Sequence, residues 1–277
     1  SSIYLGELAT QFKFEENIFS RAASESKSME GFMARALLLK AAALNTSFIE
    51  RARFLRLLLD SADSDEIFQV YASVIMPILL TIKPRHDLIW FASSATRASI
   101  AGGNYILASE WLAVLAKTLD LDYEASGSLL RLLPLIAIAG QPLPKPFSEE
   151  QATDVWSGLS DNFSREDKEK RASRLLVLLS AMGIEPRAGA WKNVISSKNI
   201  FEMENIPATA LRYQLLDAAK NNRIAEVVSI SLIMLGSEGP SKSGLVALNA
   251  VIRALREIGL EADARAIAIE AAISYVN

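Results

Sequence analysis

Residues 102–115 read GGNYILASEWLAVL. A Gly-Gly-Asn punctuation precedes a run whose apolar residues recur at three- and four-residue spacing, which is the signature of a chain break followed by an amphipathic helix. Three further breaks open the same pattern: Gly183 before IEPRAGAWKNVI, Asn222 before RIAEVVSISLIML and Gly259 before LEADARAIAIEAAI. Five residues after each break stands a small or β-branched apolar residue (Ala108, Ala188, Val227, Ala264), and eight after it a large one (Trp111, Trp191, Ile230, Ile267). The physical reading is a tight helical hairpin. Gly or Asn takes the left-handed conformation that ends one helix, and the small residue lets the next helix pack close.

Weaker breaks fall near Ser28, Ser64 and Phe147. Together the breaks at 28, 64, 103, 147, 183, 222 and 259 are spaced by roughly 36 to 44 residues, the range of helical-hairpin repeats. Strand signals are nearly missing from the sequence: there is no sustained alternation and no Asn-Gly or Asp-Gly turn. The expected fold is therefore all-α, an α-solenoid of about seven antiparallel hairpins. Repeats over 1–140 and over 148–277 form one continuous array, interrupted at 141–147 by the Pro-rich segment QPLPKPF.

The segment from Gly102 resembles the second helix of a tetratricopeptide repeat. Gly103, Asn104, Tyr105, Ala108 and Trp111 occupy that family's Gly-(Asp/Asn)-Tyr, Ala and aromatic positions. The other three segments keep the break, small and large positions and lose the tyrosine, so the resemblance is to a degenerate, TPR-like repeat. LNAVIRALREIGLEADARAIAIEA, from Leu248, also resembles a pentatricopeptide repeat. The TPR-like resemblance implies a superhelix whose first helices line a concave face, where Lys, Arg and Asn hold an extended peptide or its terminal carboxylate. On such helices fall Trp90, Arg97, Arg212, Asn249 and Arg253. A guanidinium fork or an amide suits carboxylate and backbone recognition. Trp111 and Trp191 share one repeat position and read as interhelical core; Trp156 has no such placement.

Composition narrows the chemistry. The chain has 277 residues, no cysteine and one histidine, His86. This removes thiolate zinc sites, disulfides, cysteine nucleophiles and any multi-histidine metal cluster. His86, next to Asp87, reads as a solvated turn residue or a pH-sensing group. The acid pairs Glu149/Glu150 and Glu202/Glu204 have no spacing that sets a glycosidase couple. No cofactor and no catalytic residue is expected on this segment.

With 29 basic and 32 acidic residues the net charge is −3, which opposes phosphate binding, so an RNA-binding repeat and nucleic-acid partners are disfavoured. The longest apolar run, Ile67 to Ile82, is too short to span a bilayer and reads as a buried helix. The last helix is apolar on almost every side. It continues into further chain, packs back on its own chain, or mediates homo-oligomerisation through Ile267 and Ile269. The start on Ser-Ser without Met reads as a processed or excised segment. With the absence of cysteine it favours an exported, periplasmic bacterial protein over a cytoplasmic one.

The functional expectation is a non-catalytic scaffold or adaptor binding a protein or extended peptide. The alternatives are the helical superhelix of a larger enzyme, such as a bacterial cell-wall lytic transglycosylase, and a spacer or self-assembly module.

Overall fold

The computed structural model describes residues 31–64, 67–117, 123–145, 165–186, 189–191, 209–273 and 275. Among them the regular structure is helical, with no strand. The chain divides into two compact units, Ser1–Lys117 and Thr118–Asn277.

The first unit contains α1 (Gly31–Leu44), α2 (Phe48–Ser64), α3 (Phe68–Leu79), a 3₁₀ turn (His86–Leu88), α4 (Ile89–Ala101) and α5 (Tyr105–Ala116). Each helix packs on its successor, and α1 also meets α3 as α2 meets α4. The α4–α5 hairpin is the stretch read first in the sequence. Gly103 has φ +75°, Asn104 accepts the Leu107 N–H at 3.1 Å as an N-cap, and Ala108 and Trp111 are fully buried. Phe91 meets Trp111 edge to face at 5.6 Å. A Cβ at Gly102 would meet the terminal methyl of Met76, the far end of a flexible side chain that would have to shift. The apolar run read as a buried helix, α3, is buried along one face through Phe68, Ala72, Ile75 and Leu79. Val70 and Val74 lie on its exposed side.

The second unit contains α6 (Tyr123–Ile138), α7 (Arg165–Ala181), α8 (Thr209–Lys220), α9 (Ile224–Leu235), α10 (Leu245–Glu257) and α11 (Glu261–Ile273). Hairpins α8–α9 and α10–α11 turn at Asn222 and Gly259. Asn222 has φ +55° and is the non-glycine residue in that region among those described; Gly140, Gly183 and Gly259 have φ of +68°, +81° and +81°. One pair of hydrogen bonds recurs at these breaks. The break residue's N–H reaches the carbonyl three positions back (Asn222 to Ala219, 2.9 Å; Gly259 to Arg256, 3.0 Å). The following N–H reaches five back (Arg223 to Ala218 and Leu260 to Leu255, both 2.9 Å). Terminal carbonyls are thereby satisfied. The segment 141–147 lies inside this unit, and its described part, 141–145, carries no helix.

Of the three accounts of the apolar last helix, the structure shows packing back on the chain. α11 lies against α6 and α7 as well as α10, and Ile269 is 2% exposed. Arg174 on α7 fastens this closure. Its Nε donates to the Ala271 carbonyl at 2.8 Å, Nη1 to Ser243 at 3.2 Å, and Nη2 to Pro240 and Ser241 at 2.8 and 2.9 Å. The guanidinium also lies over the Tyr275 ring at 4.7 Å.

Candidate functional site

Trp90 and Arg97 belong to the first unit. Trp90 sits at the start of α4, partly exposed, with the Arg56 guanidinium 5.9 Å from its ring centre and Arg56 Nη1 donating to its carbonyl at 2.7 Å. Arg97, expected on an open face, is buried. Its Nη2 donates to Asp63 at 2.7 Å and its guanidinium stacks 3.9 Å over Phe68. The carboxylate that Arg97 recognises is thus supplied by α2 of the same unit. Nearby, burial pushes the Asp60 carboxyl above its ordinary range, with Arg56 opposing. His86 is exposed, and Asp87 is held instead by Arg85 in a two-point contact at 3.0 Å.

Arg212, Asn249 and Arg253 belong to the second unit, on helices α8 and α10 that pack together. Arg212 is exposed and makes no hydrogen bond or ion pair among the described residues. Asn249 is half-buried; Arg253 is exposed and donates to Ser180 Oγ at 3.1 Å. Ile267 is half-buried, and Ile269 is taken up by intrachain packing. Trp191 is half-buried. Trp156, Ala188, Glu149, Glu150, Glu202 and Glu204 lie outside the described residues or have undescribed side chains.

The feature that sequence reasoning misses is the outer side of the α8–α9 hairpin. Tyr213 and Leu216 on α8, with Ile224, Val228, Leu232 and Ile233 on α9, are exposed. The shared template gives the comparison. Ten positions after its break Leu232 is 66% exposed, whereas Ile269 at that position of α11 is 2% exposed. Eleven positions after, Ile233 is 63% exposed, against 8% for Val114 in α5. Leu232 and Ile233 are thus open on α9, and Val227 to Leu235 carries no charged residue to solvate them. The available signal is in the sequence: Ile224, Val228 and Leu232 recur every four residues, beside the buried set Val227, Ile230 and Met234.

These observations define an all-α protein assembled from helical hairpins, with an open apolar face on one of them. Comparison of the chain with protein-family models, with curated proteins and with solved structures finds no match. No helix among the described residues is long and apolar enough to cross a membrane.

Proposed function

We propose that the protein is a non-catalytic interaction scaffold of TPR-like hairpins, whose second unit docks a partner protein or extended peptide. The observation that carries this reading is the uncovered apolar face of α9, where Leu232 is exposed at the position after the break that buried Ile269 holds in α11. Contiguous apolar exposure of this kind marks interaction surfaces. Arg212 and Arg253, exposed on the packed pair α8 and α10, supply guanidinium groups for backbone carbonyls or carboxylates of the bound chain. Arg97 has no part in it, since its fork is occupied by Asp63.

The test begins with a photo-crosslinking amino acid at Leu232 in the source cells, identification of the captured protein, and measurement of its affinity as a purified component. Leu232→Asp with Ile233→Asp weakens that affinity by about tenfold or more, as expected for central apolar contacts, and leaves the circular dichroism melt unchanged. Arg212→Glu with Arg253→Glu weakens it further. Crosslinks confined to a second copy of the chain, with a concentration-dependent mass, replace the scaffold reading by self-assembly. Affinity unaffected by both double variants refutes it.

A further inference from the structure

Two arginines stand beside left-handed glycines in the second unit, and the chain uses them differently. At the end of α7, Arg256 Nη1 donates to the Ala181 carbonyl at 2.8 Å and its Nε to Glu261 at 2.9 Å. That guanidinium closes a helix end. At the end of α6, the Arg265 guanidinium lies over Gly140, where an added Cβ would sit 3.0 Å from its central carbon. It makes no hydrogen bond to an α6 carbonyl among the described residues; Leu135, Ala137 and Ile136 accept the backbone N–H groups of Ala139, Gly140 and Gln141. Arg265 Nη2 reaches Glu261 at 3.3 Å, and its Nε is buried with no acceptor. A guanidinium carries five N–H donors in a planar fork. An under-used fork inside a folded unit calls for an explanation.

Arg265 lines a recess of about 420 Å³, together with Ile138 at the α6 end and Pro142 beyond it, Met182 and Ile184 beyond the α7 end, and Glu261. The volume falls within the range of small-molecule sites. Arg256 and Arg265 share the single Glu261 carboxylate, so the three groups carry one surplus positive charge. We propose that this recess binds a small organic carboxylate with a short aliphatic chain. The carboxylate meets the Arg265 fork, whose planar geometry it matches, and the chain lies against Ile138, Met182 and Ile184. One negative charge neutralises the surplus, and the apolar walls select an aliphatic anion over an inorganic one. The recess shares no residue with the open face of α9.

The experiment titrates the whole chain, carrying ¹³C-methyl methionine, with hexanoate, 1-hexanol and hexylamine. Hexanoate produces a saturable shift of the Met182 methyl signal, and the other two do not. Arg265→Gln raises the hexanoate Kd by about tenfold or more, the weight of a lost charge-assisted hydrogen bond, and Glu261→Gln lowers it by removing the competing anion. Should Arg265→Gln fail to fold, Arg265→Lys keeps the charge without the fork and raises the Kd in its place. Absence of a saturable hexanoate shift, an equal response to 1-hexanol, or a Kd unmoved in Glu261→Gln and in the folded Arg265 variant overturns the proposal.

Discussion

Replacing Arg174 by Met tests the claim that the second unit is closed by one buried guanidinium. Four backbone carbonyls lose a donor, those of Ala271, Ser243, Pro240 and Ser241, and Pro240 keeps the Ser243 N–H at 3.3 Å. A dry, unpartnered carbonyl costs about 1–3 kcal/mol. The bonds to Ala271 and Ser243 are buried and those through Nη2 are part-buried, so only the first two carbonyls bear that cost in full. Removing a charge that folding had to desolvate returns some of it, as for other buried ionic groups. Met retains most of the apolar stem. The balance is a destabilisation of about 3–4 kcal/mol, or roughly 6–16 °C in Tm for a unit of this size. Arg174→Lys keeps the charge but spans fewer acceptors, and restores less than half of the loss. Urea and thermal melts followed by circular dichroism give the magnitude, and amide exchange gives the place: protection falls first in 240–244 and α11. A Met variant within about 1 kcal/mol of the parent, or protection lost elsewhere first, would refute the closure.

Ile269→Lys puts a charge where the side chain is 2% exposed and destabilises the second unit by about 3 kcal/mol or more; Ile267→Lys, at a half-buried site, stays within about 1 kcal/mol. Dissociation of a folded oligomer by Ile267→Lys, seen by light scattering, would instead assign α11 to self-association. At Asn222, with φ +55°, Asn222→Gly is neutral or mildly stabilising and Asn222→Ala costs about 1 kcal/mol in urea titration; equal stabilities would mean that the left-handed turn is not a constraint. Burial raises the Glu270 carboxyl above its ordinary value of 4.5, so the folded state holds its proton more tightly than the unfolded one. Stability from this group is complete below 4.5 and is lost as pH rises through the folded value. Glu270→Gln is therefore more stable than the parent at pH 7, and the gap closes below pH 4.5; a gap independent of pH contradicts the burial argument.

What the sequence discloses here is whatever is encoded locally. The breaks at 103, 183, 222 and 259 are visible because left-handed backbone tolerates few residues, and the buried fifth positions Ala108, Val227 and Ala264 are visible because close helix approach demands a small side chain. The first hairpin turn of the described chain, at Asn45 to Ser47, escapes that template because it works differently. Asn45 Oδ1 accepts the Ser47 N–H at 2.8 Å, and Asn45 closes the turn with its side chain in place of a left-handed glycine. Burial set by a distant segment is not written locally at all. Arg97 reads as an open-face residue until Asp63, 34 positions earlier, is brought against it. Arg174 looks like any charged residue of the mixed-sign helix α7 until residues 66 to 97 positions later converge on it. Leu232 and Ile269 each stand ten positions after a break with the same apolar character, yet only Ile269 is buried, on a helix that packs against α6, α7 and α10. The spacing after a break therefore marks the side of a helix that faces its hairpin partner, while the burial of the opposite side depends on which distant segments pack against it. The functional proposal rests on that difference: among the described residues Leu232 is exposed where Ile269 is buried, and contiguous apolar exposure is the kind of surface that a partner molecule would cover.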